Sequence, residues 1–437
     1  MTGTATIFAL SSGRLPAGVA IVRVSGPAAR QVLEDVSGSV PVPRSATLRT
    51  IRDPLGDAID RGIVLFFPAP NSFTGEDLGE LQLHGGPAVV SKLLSALSEM
   101  EGLRHAESGE FTQRAFLNGR LDLVEAEALA DLIEAETESQ RRLALAAAGG
   151  SASRTYDGWR ERILHARAMI EAELDFSDEG DVPGSVSEVV WADIRSLRAE
   201  IESHVAGYRR AEIIRDGFRV AIVGAPNAGK SSLLNALASR DAAIVADEPG
   251  TTRDVVEVPL NLGGMKVIVS DTAGLRAPTG AVEAIGIDRS RGVAKSSDMV
   301  LLLEAPDAPF REDLEVNGEV LRVWNKLDLG DPTIRSGSDL RVSALTGEGI
   351  ETLLEFIGKA AVARTGSSAE PLPFKLRHVE MLRSCGHALE RALREELPLE
   401  LRAEELRIAG DDVGRITGKI DPEEVLGEIF SRFCIGK

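Results

Sequence analysis

The sequence predicts a multidomain fold with an α+β N-terminal domain, a helical bundle domain and an inserted α/β domain that has a doubly wound, mostly parallel sheet. Two observations favour this fold. The 437 residues exceed what a single ordinary core supports, and the hydrophobic periodicity changes along the chain. We place the boundaries at residues 1–118, 119–215, 216–365 and 366–437, with both helical parts forming one domain around the insert.

Short apolar runs broken by glycine and proline characterise the N-terminal segment. The runs "GVAIVRVSG", "GIVLFFPAP" and "GELQLHGG" are typical of strands between turns. In the last run, Leu81 and Leu83 face one side of the strand, while Glu80, Gln82 and His84 face the other. This alternation predicts a half-buried sheet in a compact α+β domain.

From Gly119 the apolar residues recur every three or four positions, which indicates amphipathic helices. The apolar positions are Leu121, Val124, Ala128, Leu132 and Ala135, then Trp159, Ile163, Ala166, Ile170 and Leu174, then Val190, Ile194, Leu197, Ile201, Val205 and Tyr208. "DFSDEGDVPGS" predicts a loop between the last two groups, and helical periodicity returns after the linker "ARTGSSAEPLP". We therefore expect a bundle of long helices.

From Gly217 onward, strand and helix patterns alternate. The apolar runs "FRVAIVG", "VIVSDTAG", "MVLLLEAP", "LRVWNKLD" and "LRVSAL" mostly end in polar or glycine-containing loops. This alternation predicts a parallel sheet whose binding sites lie at the carboxyl ends of its strands.

The composition argues against several classes of protein. No apolar run reaches the ~18 residues of a membrane span, and the first residues lack a signal-peptide pattern. The two cysteines, Cys385 and Cys434, cannot build a disulfide framework, and we expect Cys385 to lie in the core. The net charge of −19 argues against a protein that coats nucleic acid, but leaves open a local RNA-binding patch or a partner that binds RNA. We expect a cytoplasmic protein with no membrane partner.

A phosphate-binding loop is the first specific motif. "VAIVGAPNAGKSSLLNAL" fits G-x-x-x-x-G-K-S through Gly224, Gly229, Lys230 and Ser231, after an apolar strand and before a helix. The glycines allow backbone N–H groups to surround phosphate oxygens. Lys230 would reach the β- and γ-phosphates, and Ser231 would bind magnesium together with Thr252 of "AIVADEPGTTRD".

Three further motifs follow at predicted strand ends. They are "DTAG" (Asp271, Thr272, Ala273 and Gly274), "NKLD" (with Asn325, Lys326 and Asp328) and "SAL" (Ser343, Ala344 and Leu345). An aspartate can accept both N–H donors on the edge of guanine, a pair that adenine lacks. Together with the phosphate loop, these motifs predict a GTP-binding domain of the P-loop GTPase type.

The residue after "DTAG" raises a chemical question. Many small GTPases have a glutamine there to orient the attacking water, but Leu275 can neither donate nor accept a hydrogen bond. A monovalent cation on the Asn227 side chain and a carboxylate at Glu283 are two candidates for the missing function. Arg253 and Arg276 lie nearby in sequence, but we interpret them as surface or phosphate-steering residues.

The chain closely resembles the bacterial tRNA modification GTPase family called MnmE or TrmE, of the TrmE-Era-EngA-YihA-Septin-like class. The resemblance runs from end to end through "GVAIVRVSGP", "NSFTGEDLGELQLHGG", "GEFTQRAFLNGRLDLVEAEALADLI", "GAPNAGKSSLLNAL", "PGTTRD", "DTAGLR", "VEAIGI", "NKLD" and "FCIGK". Many GTPases share the phosphate-loop and "NKxD" elements, whereas the N-terminal blocks and the tail are more specific.

The resemblance implies how the water is positioned. Potassium takes the role of an arginine finger in the family, at positions that match Asn227, Ala246, Glu248 and Thr251, the last three largely through backbone oxygens. The position matching Glu283 orients or activates the water through a second water. We therefore assign catalysis to Glu283, Asn227 and Lys230. We assign GTP contacts to Asn227, Ala228, Gly229, Lys230, Ser231, Ser232, Ala246, Asp247, Glu248, Pro249, Gly250, Thr251, Thr252, Asp271, Thr272, Ala273, Gly274, Asn325, Lys326, Asp328, Ser343, Ala344 and Leu345.

The resemblance also implies a second, N-terminal site. The family forms homodimers through the N-terminal domain, which binds formyl- or methylene-tetrahydrofolate. The matching folate positions are Arg23, Glu80, Arg120 and Lys437, although family members often have lysine where Arg120 stands. Cys434 is a candidate residue near the one-carbon unit, with catalysis and packing both open.

The task implied by the resemblance is the modification of the wobble uridine of certain tRNAs with a carboxymethylaminomethyl or aminomethyl group. The partner is the flavoprotein MnmG (GidA), which brings FAD and NADH, in a heterotetramer or a larger complex. Two alternatives stay open: a GTPase switch in ribosome assembly or RNA binding, and a folate-dependent aminomethyl transferase whose GTPase domain only regulates. Nothing in the sequence indicates the basic RNA-binding module that usually accompanies the first alternative.

Overall fold

A computed structural model gives the fold of the chain. It describes residues 5–175, 186–240, 242–244, 257–271, 292–306, 308, 316–330, 340–366, 372–431, 433 and 435–436. The chain divides into two compact units: Met1–Ala130, Ala148–Arg162 and Gly410–Lys437 form the first, and Asp131–Ala147 with Ile163–Ala409 form the second. The four boundaries inferred from the sequence stay a prediction.

The first unit is built on a six-stranded sheet in the order β3-β4-β5-β2-β1-β6. Its strands are β1 (Thr6–Leu10), β2 (Ala17–Ser25), β3 (Thr47–Arg52), β4 (Ala58–Phe67), β5 (Leu78–Gly85) and β6 (Leu103–His105). The neighbouring strands are antiparallel except β1 and β6, which are parallel. The predicted α+β character of this region is confirmed.

Alternation along the strands gives the sheet a buried face and an outer face. Leu81 and Leu83 are buried, and they belong to a core cluster with Leu33 and Leu93. Leu33 lies on helix α1 (Ala29–Ser37) and Leu93 on helix α2 (Pro87–Ser98), so these helices cover the buried face. The predicted division between Leu81 and Leu83 on one side and Glu80, Gln82 and His84 on the other is confirmed.

Further helices follow along the part of the chain that the structure describes. They are α3 (Glu110–Leu117), α4 (Leu123–Glu134), α5 (Glu138–Ala148), α6 (Ser151–Asp175), α7 (Val186–Ala206), α8 (Tyr208–Asp216), α9 (Lys230–Ala238), α10 (Ile350–Thr365), α11 (Leu376–Ala392), α12 (Leu399–Thr417) and α13 (Glu423–Ser431). Ile163 and Ile170 of α6 are buried, as are Ile194 and Leu197 of α7, which matches the expected apolar faces. Cys385 of α11 is fully buried, as predicted.

The second unit contains a six-stranded sheet in the order β12-β11-β10-β7-β9-β8. Its strands are β7 (Phe218–Gly224), β8 (Glu257–Leu262), β9 (Met265–Asp271), β10 (Met299–Glu304), β11 (Glu319–Trp324) and β12 (Leu340–Arg341). All neighbours are parallel except β8 and β9. Because β7 lies in the middle and the chain then winds to both sides, the predicted doubly wound sheet is confirmed.

Among the described residues, no helix combines the length and the apolar character that a membrane crossing requires.

The helical part of the second unit contains a histidine with a strongly lowered pKa. Burial, and then the positive charge of His378 on α11, lower the pKa of His204 on α7 to about 4. We predict that an NMR titration will place the His204 imidazole transition near pH 4, against about 6.5 for an unfolded chain.

The same shift predicts how stability depends on pH. The pKa of His204 is lower in the folded chain than in the unfolded chain, so the contribution of His204 to the free energy of unfolding is fully present above about pH 6.5. As the pH falls towards 4, this free energy decreases by about 1–3 kcal/mol. Denaturation of the native chain and of His204→Gln at pH 7 and pH 5 measures this loss. A variant with the same pH dependence as the native chain would contradict the assignment.

Candidate functional site

The parallel strands of the second unit bring the predicted nucleotide motifs to one edge of the sheet. β7, β9, β11 and β12 run in the same direction, so their carboxyl ends lie at the same edge. The phosphate loop follows β7, Asp271 ends β9, "NKLD" follows β11 and "SAL" follows β12. Motifs that are about a hundred residues apart in sequence are therefore neighbours in space.

The phosphate loop turns sharply between β7 and α9. Asn227 has a φ of 65° and Gly229 a φ of 92°, both in the left-handed region. Asn227 is exposed, whereas Ala228 is fully buried. The Nζ of Lys230 donates to the carbonyl oxygens of Gly224 at 2.7 Å and Ala225 at 2.9 Å, so the ammonium group lies over the loop.

Two oxygen-bearing side chains meet beside this loop. The Ser231 Oγ, in the first turn of α9, donates to Oδ2 of Asp271 at 2.6 Å. Asp271 is 2% exposed, because it ends a strand inside the sheet. A hydroxyl and a carboxylate side by side are the hard oxygen ligands that magnesium prefers, so the two residues fit a magnesium site.

Asn325 joins the phosphate loop to the loop after β12. Its Nδ2 donates to the carbonyl oxygen of Ala228 at 2.9 Å, and its Oδ1 accepts from the amide of Ala344 at 3.1 Å. The residue is only 1% exposed. Asn325 therefore stabilises the relative position of two loops, a role that the sequence pattern alone does not show.

The expected base-binding residues lie beside this junction. Lys326 has a φ of 64°, and Asp328 follows in a short 3-10 turn, Leu327–Leu329. The buried Ser343 hydroxyl donates to Oδ1 of Asp328 at 2.5 Å, which orients the carboxylate. Leu345 is 84% exposed at the same loop.

Several predicted site residues lie outside the described residues. They are Ala246, Asp247, Glu248, Pro249, Gly250, Thr251, Thr252, Thr272, Ala273, Gly274, Glu283, Cys434 and Lys437. Arg253, Leu275 and Arg276 also lie outside the described residues. Their assignments stay predictions.

In the first unit, the candidate residues Arg23 and Glu80 form an ion pair. They lie directly opposite each other on β2 and β5, and the Arg23 Nε donates to Oε1 of Glu80 at 2.9 Å. Both side chains are partly exposed, at 28% and 14%. The guanidinium also lies 5.7 Å from the centre of the Phe73 ring. Arg120 is exposed, and its backbone amide donates to the Ala115 carbonyl oxygen.

A network of ionised side chains next to this pair was missed by the sequence analysis. Arg114 bonds to Glu76 at 3.0 Å and to Glu110 at 2.9 Å, and Arg104 also pairs with Glu110. Burial raises the pKa of Glu110, but hydrogen bonds from Arg104, the Glu107 amide and Arg114 outweigh burial and hold that pKa below its usual value. Only the four-residue spacing of Glu110 and Arg114 was visible in the sequence.

His84, at the exposed side of β5, contacts Asp60 on the neighbouring strand β4. The His84 amide donates to Oδ2 of Asp60 at 2.8 Å, and Nδ1 lies 3.0 Å from Oδ1. Burial raises the pKa of Asp60, but the hydrogen bonds from His84 and the Arg61 amide lower it by more. The contact favours a strand-pairing role.

The described residues of the C-terminal tail, 433, 435 and 436, contact the first unit. Phe433 packs with Phe430 and Leu123, and Ile435 forms an antiparallel bridge with Ser108. A Cβ on Gly436 would lie 2.2 Å from the Leu10 carbonyl oxygen, so only glycine fits there. The neighbours of Cys434 and Lys437 in sequence are therefore held at this domain.

Comparison with known proteins shows the family. The family model described as GTP-binding protein TrmE N-terminus matches residues 6–120, and the model described as MnmE helical domain matches residues 123–434. The chain belongs to the MnmE family, also called TrmE. The tRNA modification GTPase MnmE of Mesorhizobium japonicum is 56% identical over 438 residues, with 99% of each chain covered. The protein of the same name from Brucella ovis is 54% identical over 437 residues, with 99% and 98% covered.

A solved structure of lower similarity matches only part of this MnmE family member. The G domain of the T. maritima FeoB iron transporter is 24% identical, covers 33% of this chain and 99% of its own, and has a TM-score of 0.24. The assignment rests on the family models and the relatives.

The close packing of Gly229 leads to a testable prediction. A Cβ there would lie 2.3 Å from Nδ2 of Asn325, and the φ of 92° is strained for any other residue. We predict that Gly229→Ala weakens GDP and GTP binding by about 10- to 100-fold, because strain of about 1–3 kcal/mol falls on the loop. Fluorescent-nucleotide titration measures the change.

Gly386→Ala is the matched control, since nothing lies within 4 Å of a Cβ at that helical position. It is expected to leave nucleotide affinity unchanged. Equal affinity of Gly229→Ala and the native chain would contradict the close contact.

Proposed function

We propose that the chain is a potassium-dependent GTPase that modifies the wobble uridine of certain tRNAs in the cytoplasm. With a flavin-dependent partner, it would add a carboxymethylaminomethyl or aminomethyl group by using a folate one-carbon unit. The meeting of the phosphate loop, Asp271 and the base-binding loops at one sheet edge carries the proposal. The names of the relatives support the tRNA part and disfavour a switch in ribosome assembly.

The described residues support the first steps of GTP hydrolysis. Lys230 would bind the β- and γ-phosphates, and Asp328, oriented by Ser343, would accept the N–H donors of guanine. Ser231 and Asp271, with Thr252, would hold magnesium. When bound, the ion would neutralise charge on the β- and γ-phosphate oxygens.

Asn227 and Glu283 complete the proposed mechanism. The exposed Asn227, with Ala246, Glu248 and Thr251, would hold potassium in the place of an arginine finger. Glu283 would orient the water that attacks the γ-phosphorus while the bond to the bridging oxygen of GDP breaks.

The N-terminal residues fit a folate by their chemistry. A carboxylate such as Glu80 can accept N–H donors of a pterin ring, and the guanidinium groups of Arg23 and Arg120 can bind carboxylates. Lys437 and Cys434 would approach this site, since Ile435 and Gly436 lie against the same unit. FAD and NADH would come with the flavoprotein partner MnmG.

The outer face of the N-terminal sheet supports a homodimer. Leu48, Ile63, Gln82 and Ile21 form one row across four strands, and Leu48 and Ile63 are 53% and 37% exposed. The Arg23–Glu80 row lies on the same face. A second copy on this face would cover Leu48 and Ile63 and border the folate site.

The cation requirement tests the GTPase mechanism. We predict that GTP hydrolysis is at least tenfold faster in potassium than in sodium at equal ionic strength, because potassium supplies the missing positive charge. Glu283→Ala should bind GTP normally but lose at least 90% of the potassium-stimulated rate. Equal rates in both salts would point to Arg253 or Arg276 instead.

A charged substitution in the row that contains Leu48 and Ile63 tests the proposed dimer. We predict that Ile63→Glu gives a monomer in light scattering, because it would bury an unpaired charge between two copies. Val42→Glu is the control, since Val42 is 70% exposed and lies between α1 and β3. A dimeric Ile63→Glu protein would exclude this face.

A further inference from the structure

The turn of residues 72–76, between β4 and β5, touches both parts of the N-terminal candidate site. Its Phe73 ring lies 5.7 Å from the Arg23 guanidinium. At Gly75, a Cβ would lie 3.3 Å from Cγ of Arg120 and 2.8 Å from Cβ of Asn118. The turn therefore lies against Arg23 on one side and Arg120 on the other.

Glu76 fixes the end of this turn through its carboxylate. It accepts hydrogen bonds from Arg114 at 3.0 Å and from the Ser25 hydroxyl at 2.9 Å. Ser25 also bonds to the Thr74 hydroxyl at 2.7 Å, and both of these residues are fully buried. The turn is thus tied to the end of β2, the strand that carries Arg23.

Arg114 connects the same carboxylate to helix α3. The residue is 7% exposed, and its guanidinium also bonds to Glu110 at 2.9 Å and to the Ala5 carbonyl oxygen at 3.1 Å. Asn118, just after α3, donates to the Thr74 carbonyl oxygen at 2.7 Å. Because the Arg114 guanidinium donates hydrogen bonds to Glu76, Glu110 and Ala5, its orientation is fixed.

We propose that Glu76 and Arg114 are positioning residues of the N-terminal ligand site. Their ion pair holds the 72–76 turn so that Arg23 and Arg120 are placed for a ligand before it binds. The pair acts through Phe73 and Gly75. The identity of the ligand as a folate rests on the proposed function, whereas the ordering of the turn does not.

This role has a kinetic signature. A residue that prepares the free site changes the fraction of binding-competent molecules, so its loss lowers the association rate and leaves the dissociation rate nearly unchanged. A residue that contacts the ligand instead raises the dissociation rate. A residue needed only for folding lowers the number of binding sites.

The experiment compares Glu76→Gln with the native full-length chain. Stopped-flow fluorescence and calorimetry with 5-formyltetrahydrofolate give the rates, affinity and number of sites, and hydrogen exchange reports the order of the turn without ligand. We expect the affinity to fall at least tenfold through the association rate, with the number of sites unchanged. Exchange at residues 72–76 should become at least tenfold faster.

Asp53→Asn is the matched control. Asp53 has a side chain only 2% exposed, pairs with Lys92 at 2.8 Å, and lies in the β3–β4 turn. The variant removes a comparable charge from an ion pair of the same unit. We expect folate affinity within twofold of the native value and unchanged exchange at residues 72–76.

The outcomes separate this proposal from the proposed function. Unchanged affinity in Glu76→Gln, a loss through the dissociation rate alone, or an equal loss in Asp53→Asn overturns the positioning role. If the native chain binds no folate, the proposed ligand is wrong. In that case faster exchange in Glu76→Gln still supports the role of the pair, and retained protection overturns it.

Discussion

The buried amide of Asn325 is the interaction that joins two loops of the candidate nucleotide site. It bonds the carbonyl oxygen of Ala228 in the phosphate loop and the amide of Ala344 in the base-binding loop. Both partners are backbone groups, so the two loops keep their spacing whatever side chains they carry. Losing the amide would leave the buried Ala228 carbonyl oxygen without this partner, at a cost of about 1–3 kcal/mol.

This junction exists because the strands of the second sheet are parallel. Their carboxyl ends meet at one edge, and the buried side chains of Asp271 and Asn325 are held there by the sheet itself. Ser231 and Asp271 gain their contact in the same way, one from a helix start and one from a strand end. The sheet thus brings the phosphate loop, Asp271 and the "NKLD" and "SAL" loops together, although they are separated in sequence.

The candidate N-terminal site of this MnmE family member depends on a different principle. There the residues are placed by pairing across antiparallel strands and by ionised side chains, as in Arg23 with Glu80 and Arg114 with Glu76. Partial burial strengthens such pairs, because water screens them less, and it also makes an unpaired partner costly. The site therefore needs its surrounding charges to be balanced.

Local periodicity and motif spacing determined much of this protein by themselves. The alternation at Leu81 and Leu83, the helical faces at Ile163 and Ile194, and the phosphate loop before α9 are all set by neighbours within a few residues. Only the tertiary structure decided the rest: the pairing of His84 with Asp60, the dual contact of Asn325, and the bond between Glu76 and Arg114, which are 38 residues apart. The physical reason is that such contacts depend on strand register and helix placement, which spacing along the chain does not encode.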